Sequence, residues 1–389
     1  MKKIIILGST GSIGKQTLEI IKKDKNKFKI LLLSTDKNIN LISKQIKTFK
    51  VKHIVVTNKK KYEILKKKFR KIKIFPDFEK IDKEIKVKAD YTMSAISGIE
   101  GLRPTINIIK KTKRIAIANK ESIICGWELI QKELKRNKTE FIPVDSEHFS
   151  IWSVIKNYQK TDIEKIILTA SGGPFLNKKD AKNVNPTDAI NHPNWKMGKK
   201  ISVDSATLMN KVFEVIEAKN IFDIELKKFD ILIHPKSYVH AIIKLKNGLI
   251  KIIAHDTNMK IPISNSIYIG EPNQRFTKSN DINIINLNSL NFRKVDSKKF
   301  PVIKILKKIT EKNSLFDTIL VSINDELVSL FLKNKINFLD ISSKIQLLIN
   351  LPFFSKFKHQ KPNYLAQIEK LNEFVRLKTR TLSVKSKKK

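Results

Sequence analysis

The 389 residues allow two or three domains and a large core, and with 41% hydrophobic residues most of the chain should fold. The net charge is +41, from 78 Lys+Arg against 37 Asp+Glu, but the lysines run along the whole chain without base-reading or stacking signatures. That pattern argues against a dedicated nucleic-acid binder and for a field that attracts anionic substrates. A single cysteine, Cys125, excludes intrachain disulfides and cysteine-based metal centres and fits a reducing, cytoplasmic setting. No run of about 18 apolar residues marks a membrane span.

Lys2 to Leu7 is a short apolar run of the kind that forms a buried parallel strand, so the start reads as strand one of a fold rather than a signal or transit peptide. Gly8-Ser-Thr-Gly-Ser-Ile-Gly14 follows, and then helical spacing through Thr17, Leu18, Ile20 and Ile21. Strand, glycine turn and helix are the context a dinucleotide fingerprint needs, although the spacing is G-x-x-G-x-x-G rather than G-x-G-x-x-G. The next strand, Phe28 to Leu33, ends at Ser34-Thr-Asp-Lys-Asn38. Asp36 favours the free 2′-hydroxyl of NAD, while Lys37 and Asn38 suit the 2′-phosphate of NADP, and the residues alone leave both open.

Alternation continues. His53 to Thr57 and Tyr91 to Ile96 read as strands, Tyr62 to Arg70 and Ile106 to Lys111 as helices, and Arg114 to Ala118 as a strand ending in Asn119-Lys-Glu-Ser122. Such alternation predicts a doubly wound parallel sheet with ligands at strand C-termini, where Asn119, Lys120 and Glu121 fall. Phe141 to Val144 is another strand end, followed by Asp145-Ser-Glu-His148. Two carboxylates at i and i+2 suit a hard cation, with Glu214 a candidate third ligand; a capped helix start is the competing reading.

Ile166 to Ala170 is a strand leading into Ser171-Gly-Gly-Pro-Phe175, where Ser171 and the glycine amides could form an anion nest. Residues 176–200 read as a long polar loop around Pro186, His192, Pro193 and Gly198. Loops of that length are often lids. Asp204 and Ser205 read as caps of a helix carrying Leu208, Met209, Val212 and Phe213, with Ser205, Asn210 and Lys211 as phosphate donors and Glu214 on the face of Asn210. Ile231 to His234 is a strand, Lys246-Asn-Gly248 a hairpin turn, and His234 and His240 are assigned either to packing or to supporting the residues of the site. Residues 271–298 read as an irregular linker with short strands. Helices follow over Ile303 to Ile309, Leu315 to Leu332, Ile341 to Ile349 and Tyr364 to Leu377, then a basic tail at Lys385 to Lys389 that reads as disordered.

Taken together these segments resemble the 1-deoxy-D-xylulose 5-phosphate reductoisomerase family. The resemblance rests on the glycine turn 8–14, Ala118-Asn-Lys-Glu-Ser122, Pro143-Val-Asp-Ser-Glu-His148, Ser171-Gly-Gly-Pro-Phe175, His192-Pro-Asn-Trp-Lys-Met-Gly198, Ile201-Ser-Val-Asp-Ser-Ala-Thr207, and Asn210-Lys211 with Glu214. Seven motifs in one order are specific where any one is weak. Asn324-Asp-Glu326 also resembles a family Asn-x-Glu.

The resemblance implies an α/β chain. Residues 1–140 would form an NADPH-binding Rossmann-like domain with a doubly wound parallel sheet. Residues 141–270 would form a central α+β catalytic and dimerisation domain with its lid at 176–200. A linker at 271–298, a C-terminal helical domain at 299–380 and the basic tail at 381–389 would follow. It implies a cytoplasmic homodimer that isomerises and reduces 1-deoxy-D-xylulose 5-phosphate to 2-C-methyl-D-erythritol 4-phosphate, on the way to isoprenoid precursors. Carried over by motif, Thr10, Gly11, Ser12, Ile13, Lys37, Asn38, Asn119, Glu121 and Gly198 would contact NADPH, with Asp36 at the same strand end also among the cofactor-binding residues. Asp145, Glu147 and Glu214 would hold Mg²⁺, Mn²⁺ or Co²⁺. Lys120, Ser146, Glu147, Ser171, His192, Trp195, Ser205, Asn210, Lys211 and Glu214 would surround the phosphosugar, with Lys120, Asp145, Glu147, His192 and Glu214 catalytic. Trp195 and Met197 would belong to the lid. The family commonly has glycine where this chain has Asp36, a carboxylate that repels a 2′-phosphate. The readings set aside are another NAD(P)-dependent oxidoreductase of phosphorylated sugars and a basic nucleic-acid-binding protein, and neither a specific nucleic acid nor a membrane is an expected partner.

Overall fold

Isoleucine-rich runs with no polar alternation bury both faces, and seven such strands form one parallel sheet. They are β1 (Lys2–Leu7), β2 (Phe28–Thr35), β3 (His53–Val56), β4 (Lys73–Phe75), β5 (Tyr91–Ser94), β6 (Arg114–Ile117) and β7 (Glu140–Pro143). Their order is β4-β3-β2-β1-β5-β6-β7, every pair parallel. The order reverses at β1, so a crevice opens at the C-terminal edge between β1 and β5, the switch point where doubly wound sheets take dinucleotides. Ile4, Ile6, Leu33, Ile54, Val56 and Met93 form its core.

This computed structural model describes residues 1–178, 181, 183–195, 197–271 and 284–384. Residues 179, 180, 182 and 196 of the expected lid, 272–283 of the expected linker and 385–389 of the expected tail lie outside the described residues. The chain divides into two compact units. The first comprises the described residues within Met1–Ser122, Leu129–Phe149 and Met259–Ser279, the second those within Ile123–Glu128, Ser150–Asn258 and Asn280–Lys389.

The second unit is mixed. Its sheet runs β11-β10-β8-β9-β12, built from β8 (Ile163–Ala170), β9 (Phe229–Ile233), β10 (Val239–Leu245), β11 (Ile250–Ala254) and β12 (Arg293–Lys294). Only β8 and β9 are parallel, and β10 and β11 form the hairpin expected around Lys246-Asn-Gly248. Helices Leu315–Leu332, Phe338–Leu348 and Leu365–Ser383 follow. The first is tied to the last by Glu326, which accepts from Arg376 Nε at 3.2 Å and Arg380 Nε at 2.7 Å.

Several boundaries differ from the sequence reading, each for a local reason. The basic helix is Lys59–Lys68, because the Asn58 side chain caps it by accepting from Lys61 N. The helix after Gly101 is Leu102–Ile109. Residues 303–308 belong to a 3₁₀ helix, Pro301–Lys308, and Ile309 is already extended. The loop 176–200 is not continuous: Pro186–Ile190 is a short helix with an Asn185/Asp188 capping box, and helix Lys199–Thr207 begins inside the expected lid. The largest correction concerns Asp204 and Ser205. They do not start a helix; they lie near the end of Lys199–Thr207, which stops at Leu208 in the left-handed region (φ 63°), and a second helix, Met209–Phe222, begins immediately after. Leucine is disfavoured at that φ, and its fully buried side chain offsets the strain.

Gly8 carries the turn after β1. Its φ is +78°, and a Cβ there would stand 2.6 Å from the Ala95 carbonyl oxygen beyond β5. Gly8→Ala should therefore lose roughly 2–3 kcal/mol of stability, read as a lowered urea midpoint at unchanged m.

Candidate active site

In the first unit the candidate residues gather at the C-terminal edge of the parallel sheet. Gly8 N–H donates to Ser34 Oγ at 2.7 Å and Gly11 N–H to Gly8 O at 3.0 Å, which closes the turn. Gly14 packs so tightly on it that a Cβ would lie 2.4 Å from Gly8 O. Ser12 opens helix Ser12–Lys23 and Ile13 packs on the core, so the turn presents backbone beside a helix N-terminus, as a pyrophosphate needs. Thr10 Oγ1 sits 2.7 Å from Thr35 Oγ1 and joins the turn to the end of β2. Asp36, Lys37 and Asn38 follow β2, with Asn38 capping helix Ile39–Phe49.

Sequence reasoning missed Ser34 and Gln45, which brace this turn. Ser9 Oγ bonds Gln45 Oε1 at 2.7 Å, and Gln45 Nε2 donates to Ser9 O at 2.9 Å. Gln45 lies mid-helix, where no local pattern marks it.

Beyond β6, Asn119 caps helix Lys120–Asn137 by accepting from Ser122 N at 2.7 Å, while its amide donates to Ile96 O and Gly98 O. The cap fixes Lys120 and Glu121 in the first turn, both buried. Beyond β7, Asp145 accepts from Lys120 Nζ and from Glu147 N–H at 3.2 Å, and its Oδ1 is 3.3 Å from His148 Nδ1. Ser146 Oγ donates to Glu147 Oε2. The expected cap and the expected carboxylate pair are therefore both present. Asp145 holds the start of helix Ser146–Ile155 and still sits with Glu147 at the sheet edge. Hard carboxylate oxygens with no sulfur nearby fit a divalent cation of the Mg²⁺ type.

In the second unit, β8 delivers Ser171 to a turn whose glycines have φ of 83° and 67°. Gly173 approaches the end of helix Lys199–Thr207, where a Cβ would stand 2.8 Å from Ala206 Cα and 2.9 Å from Ser205 O. That close approach brings the turn after Ser171 against the end of the helix that carries Ser205. Ser171 Oγ also meets His192 Nε2 at 2.9 Å.

The His192 ring is oriented from behind: Nδ1 accepts from Asn194 N–H at 3.1 Å and Trp195 N–H at 3.0 Å. The neutral ring thus carries its proton on Nε2, which donates to Ser171 Oγ. Ser171 Oγ further accepts from Gly173 N–H at 3.0 Å, so its own proton is left to point at an incoming anion. Burial pulls the His192 pKa down from 6.5 to about 4. The folded ring stays neutral where the unfolded one would charge. Stability held above pH 6.5 should fall as pH drops towards 4, and NMR titration of the ligand-free protein should place the His192 midpoint near 4.

Asn194 Nδ2 donates to Pro235 O at 2.6 Å and Ser237 Oγ at 3.1 Å, and the Trp195 ring stands edge-on to His240 at 6.1 Å. His234 and His240 are buried. Gly198 is the N-cap residue of helix Lys199–Thr207 in the second unit. The break at Leu208 puts Asn210 and Lys211 in the first turn of Met209–Phe222. Both donate to Glu214, Asn210 Nδ2 at 2.5 Å and Lys211 Nζ to Oε2. Lys211 and Glu214 are almost fully buried.

A second network escaped sequence reasoning. Asn324 Nδ2 donates to Asp204 Oδ1 at 2.8 Å, and Lys200 bridges Asp204 at 3.4 Å and Asp325 at 2.8 Å. It ties the helix carrying Ser205 to Leu315–Leu332, and Asn324-Asp-Glu326 was the only signal for it.

Residues 4–126 match the family described as 1-deoxy-D-xylulose 5-phosphate reductoisomerase, residues 141–222 that family's C-terminal domain and residues 256–378 a further DXP reductoisomerase C-terminal domain. The 1-deoxy-D-xylulose 5-phosphate reductoisomerase of Pelagibacter ubique is 55% identical over 390 residues, covering 99% of this chain and 100% of its own. That of Caldanaerobacter subterraneus is 40% identical, covering 89% and 91%. Among solved structures, the Zymomonas mobilis enzyme in complex with NADPH superposes with a TM-score of 0.87 at 28% identity, covering 99% of both chains. A DOX-P reductoisomerase in complex with NADPH, fosmidomycin and magnesium gives 0.88 at 28%, covering 98% and 97%. The glycine turn at the switch point, the carboxylates after β7 and the Ser171–His192 pair thus sit in a chain that belongs to the 1-deoxy-D-xylulose 5-phosphate reductoisomerase family.

Proposed function

We propose that this chain carries out the family's reaction: it isomerises 1-deoxy-D-xylulose 5-phosphate and reduces the product with NADPH to 2-C-methyl-D-erythritol 4-phosphate, in non-mevalonate isoprenoid precursor synthesis. The observation that carries the reading is the pair Asp145 and Glu147 at the C-terminal end of β7 beside buried Lys120, on the sheet whose switch point holds the glycine turn. Asp145, Glu147 and Glu214 are the residues assigned to a divalent metal, Mg²⁺, Mn²⁺ or Co²⁺. Bound there, the metal supplies Lewis-acid polarisation and a template for a ketone and its neighbouring hydroxyl. NADPH supplies the hydride.

The remaining roles belong to the chain. The turn 8–14, with Thr10, Gly11, Ser12 and Ile13, seats the pyrophosphate, while Lys37 and Asn38 take the 2′-phosphate. Asn119 and Glu121 flank the nicotinamide end, together with Gly198. Lys120 Nζ, paired with Asp145, stabilises negative charge on substrate oxygen and donates hydrogen bonds to the hydroxyls, with Ser146 and Glu147 alongside. Ser171 Oγ–H, His192 Nε2–H, Ser205, Asn210 and Lys211 bind the phosphate. That remote binding energy favours a closed site under Trp195 and Met197, from which water is excluded.

Among the described residues no helix is long and apolar enough to cross a membrane. A cytoplasmic homodimer is the assembly we favour. It is supported by the single buried thiol and by β11, an edge strand with Ile250 and Ile252 exposed, a surface suited to a second copy. In the test, NADPH absorbance should fall only when 1-deoxy-D-xylulose 5-phosphate and Mg²⁺ or Mn²⁺ are both present, and EDTA should stop it. Oxidation that survives EDTA, or folded protein that oxidises nothing, would overturn the reading.

A further inference from the structure

The end of β2 carries opposite signals at adjacent positions. In doubly wound sheets this is where the adenosine ribose is read: a carboxylate accepts from a free 2′-hydroxyl, and a cation pairs with a 2′-phosphate. Here the carboxylate of Asp36 precedes the ammonium of Lys37 just past the end of β2, the neighbour of β1 and one strand from the crevice between β1 and β5.

The structure gives Asp36 fixed company. Thr57, at the end of the adjacent strand β3, donates from Oγ1 to Asp36 Oδ1 at 3.1 Å, and its N–H bonds Thr35 O at 3.2 Å. Lys37 Nζ lies 3.7 Å from Asp36 Oδ2, so the ammonium beside this carboxylate is already partly engaged. Asn38 Oδ1 is committed to capping Leu41 N, which leaves only its amide N–H groups for a ligand. Both Asp36 and Lys37 remain exposed enough to meet a ribose.

We propose that this crevice takes NADH as a working hydride donor beside NADPH, because Asp36 accepts from the 2′-hydroxyl of NADH and repels the 2′-phosphate of NADPH. The proposal rests on the reductoisomerase reading. The added activity is the same reduction: NADH is oxidised to NAD⁺, its hydride adds to the aldehyde carbon of the rearranged sugar phosphate, and the alkoxide oxygen takes a proton from solvent.

The test titrates the metal-free protein with NADPH and with NADH, following reduced-nicotinamide fluorescence, for the native chain, Asp36→Asn and Asp36→Gly. Removing a carboxylate a few ångströms from a phosphate of charge near −2, in largely aqueous surroundings, should raise the NADPH-to-NADH affinity ratio about tenfold in both variants. The native chain should bind both cofactors, and with substrate and Mg²⁺ it should oxidise both at kcat/KM values within about tenfold of each other. An unmoved affinity ratio in both folded variants, or no NADH binding by the native chain, overturns the proposal. If the ratio moves as expected while neither cofactor is oxidised, the reductoisomerase reading fails and the assignment of Asp36 to the ribose stands. Oxidation of NADPH alone by the native chain overturns the claim that NADH works.

Discussion

Glu147→Gln should bind NADPH as the native protein does and lose about a thousandfold or more in turnover, because the Lewis-acid assistance of a correctly held metal is worth several kcal/mol of barrier. The substitution is nearly isosteric. The remaining amide oxygen can still accept from Ser146 Oγ, so the start of helix Ser146–Ile155 keeps its local contact. What changes is charge: a neutral amide replaces an anionic oxygen beside Asp145, and the pair becomes a weaker site for a hard dication. Turnover, NADPH titration and thermal unfolding measured on one preparation separate the effects. Turnover reduced by less than about tenfold would remove Glu147 from the metal site. Equal losses in NADPH binding and in melting temperature would make it a structural residue instead.

How far the sequence exposed the fold follows from what each segment's chemistry leaves locally visible. The apolar runs of β1, β2, β5 and β6 and the glycine turn after β1 are self-announcing. A strand buried on both faces must be continuously apolar, and Gly8 occupies a φ that L-residues avoid. Lys73–Phe75 escaped notice because a three-residue edge strand has no periodicity to read.

The helix around Ser205 misled for a physical reason. Asp204 and Ser205 have capping chemistry, but capping depends on which residue leaves helical geometry, and that residue is Leu208. Nothing in a buried leucine announces φ of 63°; tertiary packing imposes it. The site divides the same way. The carboxylates after β7 and the Ser171 turn sit at strand ends and were legible. The Asn324–Asp204–Lys200 network joins residues 120 positions apart, and local reading cannot pair them.

Lys211→Met should cost roughly 3–5 kcal/mol of unfolding free energy, because it breaks a buried ion pair from one side. Lys211 and Glu214 lie one turn apart on Met209–Phe222, 4% and 1% exposed, with Lys211 Nζ on Glu214 Oε2 and Asn210 Nδ2 on Oε1. Methionine keeps the stem's volume but removes the ammonium facing Oε2, while the neutral hydrogen bond from Asn210 Nδ2 to Oε1 stays in place. Replacing both members, Lys211→Met with Glu214→Leu, should recover much of the stability, since a packed apolar pair avoids desolvating two charges. A double-mutant cycle in urea, on metal-free protein, reads this directly. If Lys211→Met costs under about 1 kcal/mol, the pair behaves like a solvated surface bridge and its burial is not what holds the helix start. The assignment of Glu214 to the metal adds a second readout. Saturating Mg²⁺ should raise the melting temperature of Lys211→Met more than that of the native protein, because a cation at the carboxylate compensates for the ammonium that is gone. The double variant, stable but without this carboxylate, should gain nothing from Mg²⁺ and should not turn over. Stability recovered without function would show that Lys211 and Glu214 are retained for the chemistry of the site rather than for the fold.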